Sequence, residues 1–167
     1  MEDLEQLTQT VVARAAALAL YARQWLGDGA TSAAEDVVQE ALTALLMQKH
    51  APPDPVAWMY LAVRNAAIDH ARSASRRRMR EQSVAKSEWF DATTDSAIDA
   101  ESAEQALRHL PAEFREVVVL RIWGELGLAQ IAQVTQTSVS TVHKRYNAAI
   151  EQMRNLLEKP CPMKQTK

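Results

Sequence analysis

The sequence predicts an all-α protein of two small helical domains joined by a flexible acidic linker. Three observations carry this. The 167 residues include only four Gly and six Pro, while Ala, Leu, Gln, Glu and Arg abound, a composition that favours helix. Apolar residues recur every three or four positions, and the Val- or Thr-rich alternation of strands is scarce. Between residues 83 and 103 the periodicity lapses into Ser, Ala, Thr and Asp, with isolated Trp89 and Phe90, which reads as a linker. The length suits one ordinary domain or two small ones, and an apolar fraction of 47% supplies a core.

The elements follow in order. Leu4, Leu7, Val11, Leu18, Tyr21 and Trp25 recur near helical spacing over residues 4–26, and Gly27-Asp28-Gly29 ends that helix. A second helix is expected from Ser32, an N-cap with Glu35 completing a capping box. Its apolar stripe is Val37, Val38, Ala41, Leu42, Leu45 and Leu46, and it stops before Ala51-Pro52-Pro53-Asp54-Pro55. A third runs from about Val56 to Ser75, with Trp58, Leu61, Ala62, Asn65, Ile68, Asp69 and Arg72 at intervals of three or four, and leads into Arg76-Arg77-Arg78. Order resumes at about Ser102, and Pro111 suits a first helical turn ahead of Phe114, Val117, Val118, Arg121 and Ile122.

Near the C-terminus a short helix, about Leu128 to Thr135, is followed by a turn at Gln136-Thr137. Ser138 can then cap a longer helix from Val139 to Leu157. This is the layout of a helix-turn-helix, which holds its second helix in the major groove. Ile131, Ala132, Val134 and Val142 are placed to pack the two helices together. The outer face offers Ser138, Ser140, Thr141, His143, Lys144 and Arg145, hydroxyls and cations suited to phosphates and base edges. Gln136 stands where Gly would ease the turn, and Thr135 and Thr137 stand where larger apolar groups would pack better. An ordinary helical hairpin with a polar outer face is the competing reading.

Charge is unevenly spread although the net charge is only −2. Residues 1–63 carry a net −5, 64–86 a net +5, 87–104 a net −6 and 105–167 a net +4. Two DNA-facing surfaces around a non-binding linker would look like this, as would solvated helix faces. No apolar run is long enough to span a membrane. The acidic start (Glu2, Asp3, Glu5) is unlike a secretory signal. The single cysteine, Cys161, has no partner for an internal disulfide, which fits a cytoplasmic setting.

Two stretches together resemble the sigma-70 family of bacterial RNA polymerase specificity subunits, in its extracytoplasmic-function (ECF) group. Ala34-Glu35-Asp36-Val37-Val38-Gln39-Glu40-Ala41-Leu42, followed by Ala57-Trp58 through Asn65, Asp69 and Arg72, looks like sigma region 2. Leu110-Pro111-Ala112-Glu113-Phe114-Arg115-Glu116, then Gln130-Ile131-Ala132 and Ser138 to Arg145, looks like region 4. The resemblance covers roughly 11–80 and 105–157. It implies a region 2-like helical bundle over 1–82, a linker over 83–103, a region 4-like helix-turn-helix domain over 104–159 and a tail over 160–167. It implies that Asp36, Val37, Gln39 and Glu40 help bind the clamp of core RNA polymerase. The segment with Arg64, Asn65, Asp69 and Arg72 is expected to open and read the −10 promoter element. Region 4 is expected to read the −35 element with its second helix and to dock on the polymerase flap. Control by an anti-sigma protein is a further implication.

The residues agree chemically. Trp58 and Tyr60 near cations can stack an unpaired base, although Trp58 also suits a core. Arg72 and Arg76, Arg77 and Arg78 can hold phosphates. Asp69 can equally pair with a nearby Arg on its own helix. Ala148 and Gln136 depart from the family pattern, which usually has Arg and Gly there.

No enzyme chemistry is expected. His50, His70, His109 and His143 lie far apart without metal-ligand spacing, and no Gly-rich phosphate loop is present, so neither metal nor cofactor is expected. A stand-alone helix-turn-helix regulator and a helical protein that titrates a polymerase surface are the alternatives. Free protein is expected to bind promoter DNA poorly, because the acidic segments repel phosphate until polymerase arranges the domains.

Overall fold

The computed structural model describes residues 9–10, 12–27, 30–78 and 97–158. Among these the chain forms seven helices and no strand. The N-terminal half contains α1 (Ala15–Leu26), α2 (Thr31–Leu46) and α3 (Pro55–Arg78). The C-terminal half contains α4 (Ala97–His109), α5 (Ala112–Ile122), α6 (Leu128–Thr135) and α7 (Val139–Glu158). Leu4, Leu7, Val11, Asp28, Gly29, Trp89, Phe90 and Cys161 lie outside the described residues.

The helix ends show why the chain breaks where it does. α1 stops at Gly27, whose φ of 77° a side chain would strain, and the Gly27 N–H donates to Arg23 O at 3.2 Å. α2 starts a residue before the expected cap. Ala30 precedes it, with no side-chain cap, so Ser32 lies within the first turn and the expected capping box is absent. Asp54 caps α3 instead. Its Oδ1 accepts the Ala57 N–H at 2.9 Å, and Pro55 takes the first helical position, where its missing N–H is harmless. α3 runs three residues beyond Ser75. α4 begins at Ala97, inside the stretch read as linker, because Ala97, Ile98 and Ala100 are helix formers that the acidic composition masked. Pro111 then separates α4 from α5.

The sequence left the arrangement of the two halves open. They share a core. Leu18, Tyr21, Val37, Met59, Tyr60 and Val63 of the first half and Val117, Leu120, Leu126, Ile131 and Val142 of the second belong to one buried cluster. α1 packs on α5, and α3 packs on α6. A second cluster of Leu107, Leu110, Val118 and Ala149 ties α4 and α5 to α7. The reversal after α5 needs a residue without a side chain. A Cβ at Gly124 would stand 2.6 Å from Leu120 O, and the Gly124 carbonyl accepts a bond from the Arg14 guanidinium at 2.5 Å.

Candidate nucleic-acid interface

The α6–turn–α7 unit is a helix-turn-helix with its own sequence logic. Ile131, Val134 and Val142 are buried, and Ala132 is small enough to sit among them. The turn is made by Gln136 in the left-handed conformation at φ 55°. The Thr137 N–H reaches back to Ala132 O at 3.0 Å, closing the turn usually made by Gly. Thr135 is buried because its hydroxyl donates to Ile131 O at 2.8 Å and lies 3.0 Å from the Thr137 hydroxyl. A pair of threonines thus replaces apolar packing with hydrogen bonds.

Ser138 starts α7 as expected. Its Oγ accepts the Thr141 N–H at 3.1 Å and lies within hydrogen-bond distance of the Ser140 and Thr141 hydroxyls. Ser138, Ser140, His143 and Lys144 are exposed together, and Thr141 is half-buried beside them. Arg145 is set apart from this face, because its guanidinium pairs with Glu113 of α5 at 3.2 Å. Asn147, which the sequence reading passed over, joins the face. Its side-chain amide lies 3.4 Å from His143 Nε2, one turn on. The four-residue spacing from His143 was the available signal.

On α3, Asn65, Asp69, Arg72 and Arg76 are exposed at intervals of three and four, so they form one stripe with Trp58 at its start. Trp58 is half-buried and packs on the shared core, combining the two roles considered for it. Asp69 pairs with Arg72 at 3.7 Å, on the surface. The backbone of Arg77 and Arg78 continues the helix. Arg64 does not join the stripe. Its guanidinium lies 5.3 Å from the centre of the Trp25 ring and 2.7 Å from Glu116 Oε1. On α2, Asp36, Gln39 and Glu40 are exposed, followed by Thr43 and Met47. Val37 is 1% exposed and belongs to the core, so it cannot meet a partner in this arrangement.

Tyr21, Glu116 and Gln130, which the sequence reading gave no site role, lie where the halves meet. Glu116 Oε1 accepts from the Tyr21 hydroxyl and from Arg64 Nε, each at 2.7 Å. Burial, reinforced by the Glu116 carboxylate, pushes the Tyr21 phenol well above its usual range. Burial opposes the Arg64 cation, but Glu116 outweighs it and raises the pKa. Tyr60, expected to stack an unpaired base, is instead 1% exposed in the core, because its ring packs edge-on against Tyr21 with centroids 5.5 Å apart. Burial pushes its phenol up to about 12, against the pull of nearby Arg14. At the far end Gln130 Nε2 donates to Asp54 Oδ2 at 2.8 Å, while Gln130 Oε1 accepts the Gly127 N–H at 2.9 Å. Glu116 sat in a helical run where an interior carboxylate and a surface one look alike. Its partners are 95 and 52 residues away in sequence. Among the described residues no His, Cys, Asp and Glu group is placed to hold a metal, and no helix is long and apolar enough to cross a membrane.

Comparison with known proteins places the chain in a family. The family model for sigma-70 region 2 matches residues 10–77, and that for sigma-70 region 4 matches residues 100–153. The ECF RNA polymerase sigma factor SigL of Mycobacterium tuberculosis is 32% identical over 151 residues, covering 86% of this chain and 84% of that protein. The RNA polymerase sigma factor SigV of Bacillus subtilis is 26% identical over 127 residues, covering 74% and 75%. Among solved structures, the sigma factor RpoE in complex with the anti-sigma factor NepR from Bartonella quintana has a TM-score of 0.73 at 19% identity, covering 96% of this chain and 100% of that one. CnrH in complex with the cytosolic domain of CnrY has a TM-score of 0.62 at 22% identity, covering 95% and 91%. These two share the fold. With both regions in order and a relative similar along most of its length, the chain belongs to the ECF group of the sigma-70 family of RNA polymerase sigma factors.

Proposed function

We propose that this chain directs core RNA polymerase, in the cytoplasm, to promoters whose −10 element is read by α3 and whose −35 element is read by α7. The observation that carries the reading is the pair of polar, cation-bearing faces on one chain. Ser138, Ser140, Thr141, His143 and Lys144 cluster at the start of α7, where hydroxyls and a helix N-terminus suit phosphates and base edges. On α3, Trp58, Asn65, Asp69, Arg72 and Arg76 run along one stripe that Arg77 and Arg78 follow, suited to stacking on an unpaired base and holding its backbone. Arg64 joins the −10 set once freed from Glu116, and Arg145 joins the −35 set once freed from Glu113. The exposed Asp36, Gln39 and Glu40 on α2 supply the clamp contact, and the C-terminal half supplies the flap contact. The chain performs no catalysis and needs neither metal nor cofactor. The fold shared with a sigma factor solved in complex with the anti-sigma factor NepR supports control by an anti-sigma protein.

Run-off transcription with purified core polymerase tests this. Specific initiation is expected only when the protein is added. Lys144→Ala with Arg145→Ala is expected to weaken the upstream footprint and to lower the salt dependence of binding by roughly two phosphate contacts. A holoenzyme footprint indifferent to the pair would remove α7 from the −35 role. Duplex binding without core would instead favour a stand-alone regulator.

A further inference from the structure

We infer that Glu113 sets the strength of the −35 contact by competing with DNA phosphate for the guanidinium of Arg145. The inference deepens the promoter reading above and rests on it. Ser138, Thr141 and Arg145 follow one another at intervals of three and four, so all three stem from one strip of α7. The hydroxyls of the first two lie 2.8 Å apart along it. A cation next on that strip would meet the same stretch of DNA backbone. The Arg145 guanidinium instead turns aside to Glu113 on α5, with Nη2 3.2 Å from Oε2. Among the described residues it is the one ion pair made by a cation of α7, so any competition with phosphate on this helix falls on Arg145.

The pair is built to exchange. The Arg145 side chain is 24% exposed and that of Glu113 is 55% exposed, and an ion pair that wet is weak. A duplex phosphate offers the same guanidinium two oxygens in the fork geometry it prefers. Neutralising a phosphate also releases condensed counterions, which favours DNA further at low salt. Glu113 therefore does not block the contact; it subtracts its own hold on Arg145 from it. Glu113 also lies in the first turn of α5, where a carboxylate suits the helix N-terminus. If it served only there, or as a strut bracing α7 against α5, it would hold Arg145 ready for DNA, and its loss would weaken binding. Competition predicts the opposite sign.

The test is a double-mutant cycle on the full chain, with Glu113→Gln, Arg145→Ala and both together. Far-UV circular dichroism and urea melts check that each variant folds. Glu151→Gln removes the same charge from an exposed site elsewhere on α7, and so measures the gain that net charge alone brings. Fluorescence anisotropy with a fluorescein-labelled duplex of arbitrary sequence, at low salt, reads phosphate binding by the free chain. Glu113→Gln is expected to tighten binding about two- to fivefold beyond the Glu151→Gln background, the range in which exposed ion pairs are measured. Arg145→Ala is expected to weaken binding and to lower its salt slope by about one phosphate contact. In the Arg145→Ala background the excess gain from Glu113→Gln is expected to vanish. Weaker binding by folded Glu113→Gln, or a gain no larger than that of Glu151→Gln, overturns the inference. So does an excess that persists without Arg145, since the carboxylate would then repel phosphate directly. With core polymerase, the upstream footprint of the Glu113→Gln holoenzyme is expected to survive to higher salt than that of the unaltered one. Failure of the unaltered holoenzyme to initiate speaks against the promoter reading instead, and the duplex cycle still decides the role of Glu113.

Discussion

Gln136 shows how a single residue can carry strain for a motif. A non-glycine side chain at φ 55° crowds the neighbouring carbonyl, at roughly 1 kcal/mol or more. The turn persists because the Thr137 N–H is bonded to Ala132 O and the threonine hydroxyls satisfy one another. Gln136→Gly is expected to stabilise the protein by about 1 kcal/mol, read from a urea midpoint, with no change in denaturant slope. A loss of stability would mean that the Gln136 side chain contributes more than its backbone strain costs. The weakness was visible in sequence, since any residue but Gly is out of place in that turn. The remedy was not, because Thr135 and Thr137 look like poor packing until their hydroxyls are located.

At the level of elements, helix identity was legible and helix partnership was not. The boundaries of α6, and the start of α7 at Val139, follow from local chemistry, and the structure keeps them. The contact of α1 and α3 with α5 and α6 is carried by residues that are individually ordinary, a Tyr here and a Glu there. Periodicity shows only that such residues are on a face, never which face meets it. The contact has a pH signature. Tyrosines in an unfolded chain lose their protons near pH 10, whereas Tyr60 holds its proton to about 12 and Tyr21 is also raised. Stability from these phenols is complete below pH 10. It declines as pH rises toward 12, at up to about 1.4 kcal/mol per pH unit for each tyrosine. Urea melts at pH 9, 10 and 11 should show the decline beginning above pH 10. Tyr60→Phe should make it shallower, and an unchanged slope would mean that Tyr60 titrates normally.

For the whole molecule, the sequence reading is a two-point grip that polymerase arranges, with poor DNA binding by free protein explained by acidic repulsion. Fluorescence anisotropy with a promoter duplex at physiological salt is expected to show free-protein affinity no tighter than about 10⁻⁶ M, the range of non-specific binding. Tight specific binding without polymerase would contradict acidic repulsion as the cause.

The shared carboxylate of Glu116 also has a meaning in populations. If closed molecules, with the halves packed together, outnumber open ones by about a hundred to one, a ligand that needs the open form binds about a hundredfold more weakly than its intrinsic affinity, a difference of about 2.7 kcal/mol. A polymerase that engages only open molecules lifts that handicap for DNA in the same act, so the two ligands cooperate without touching.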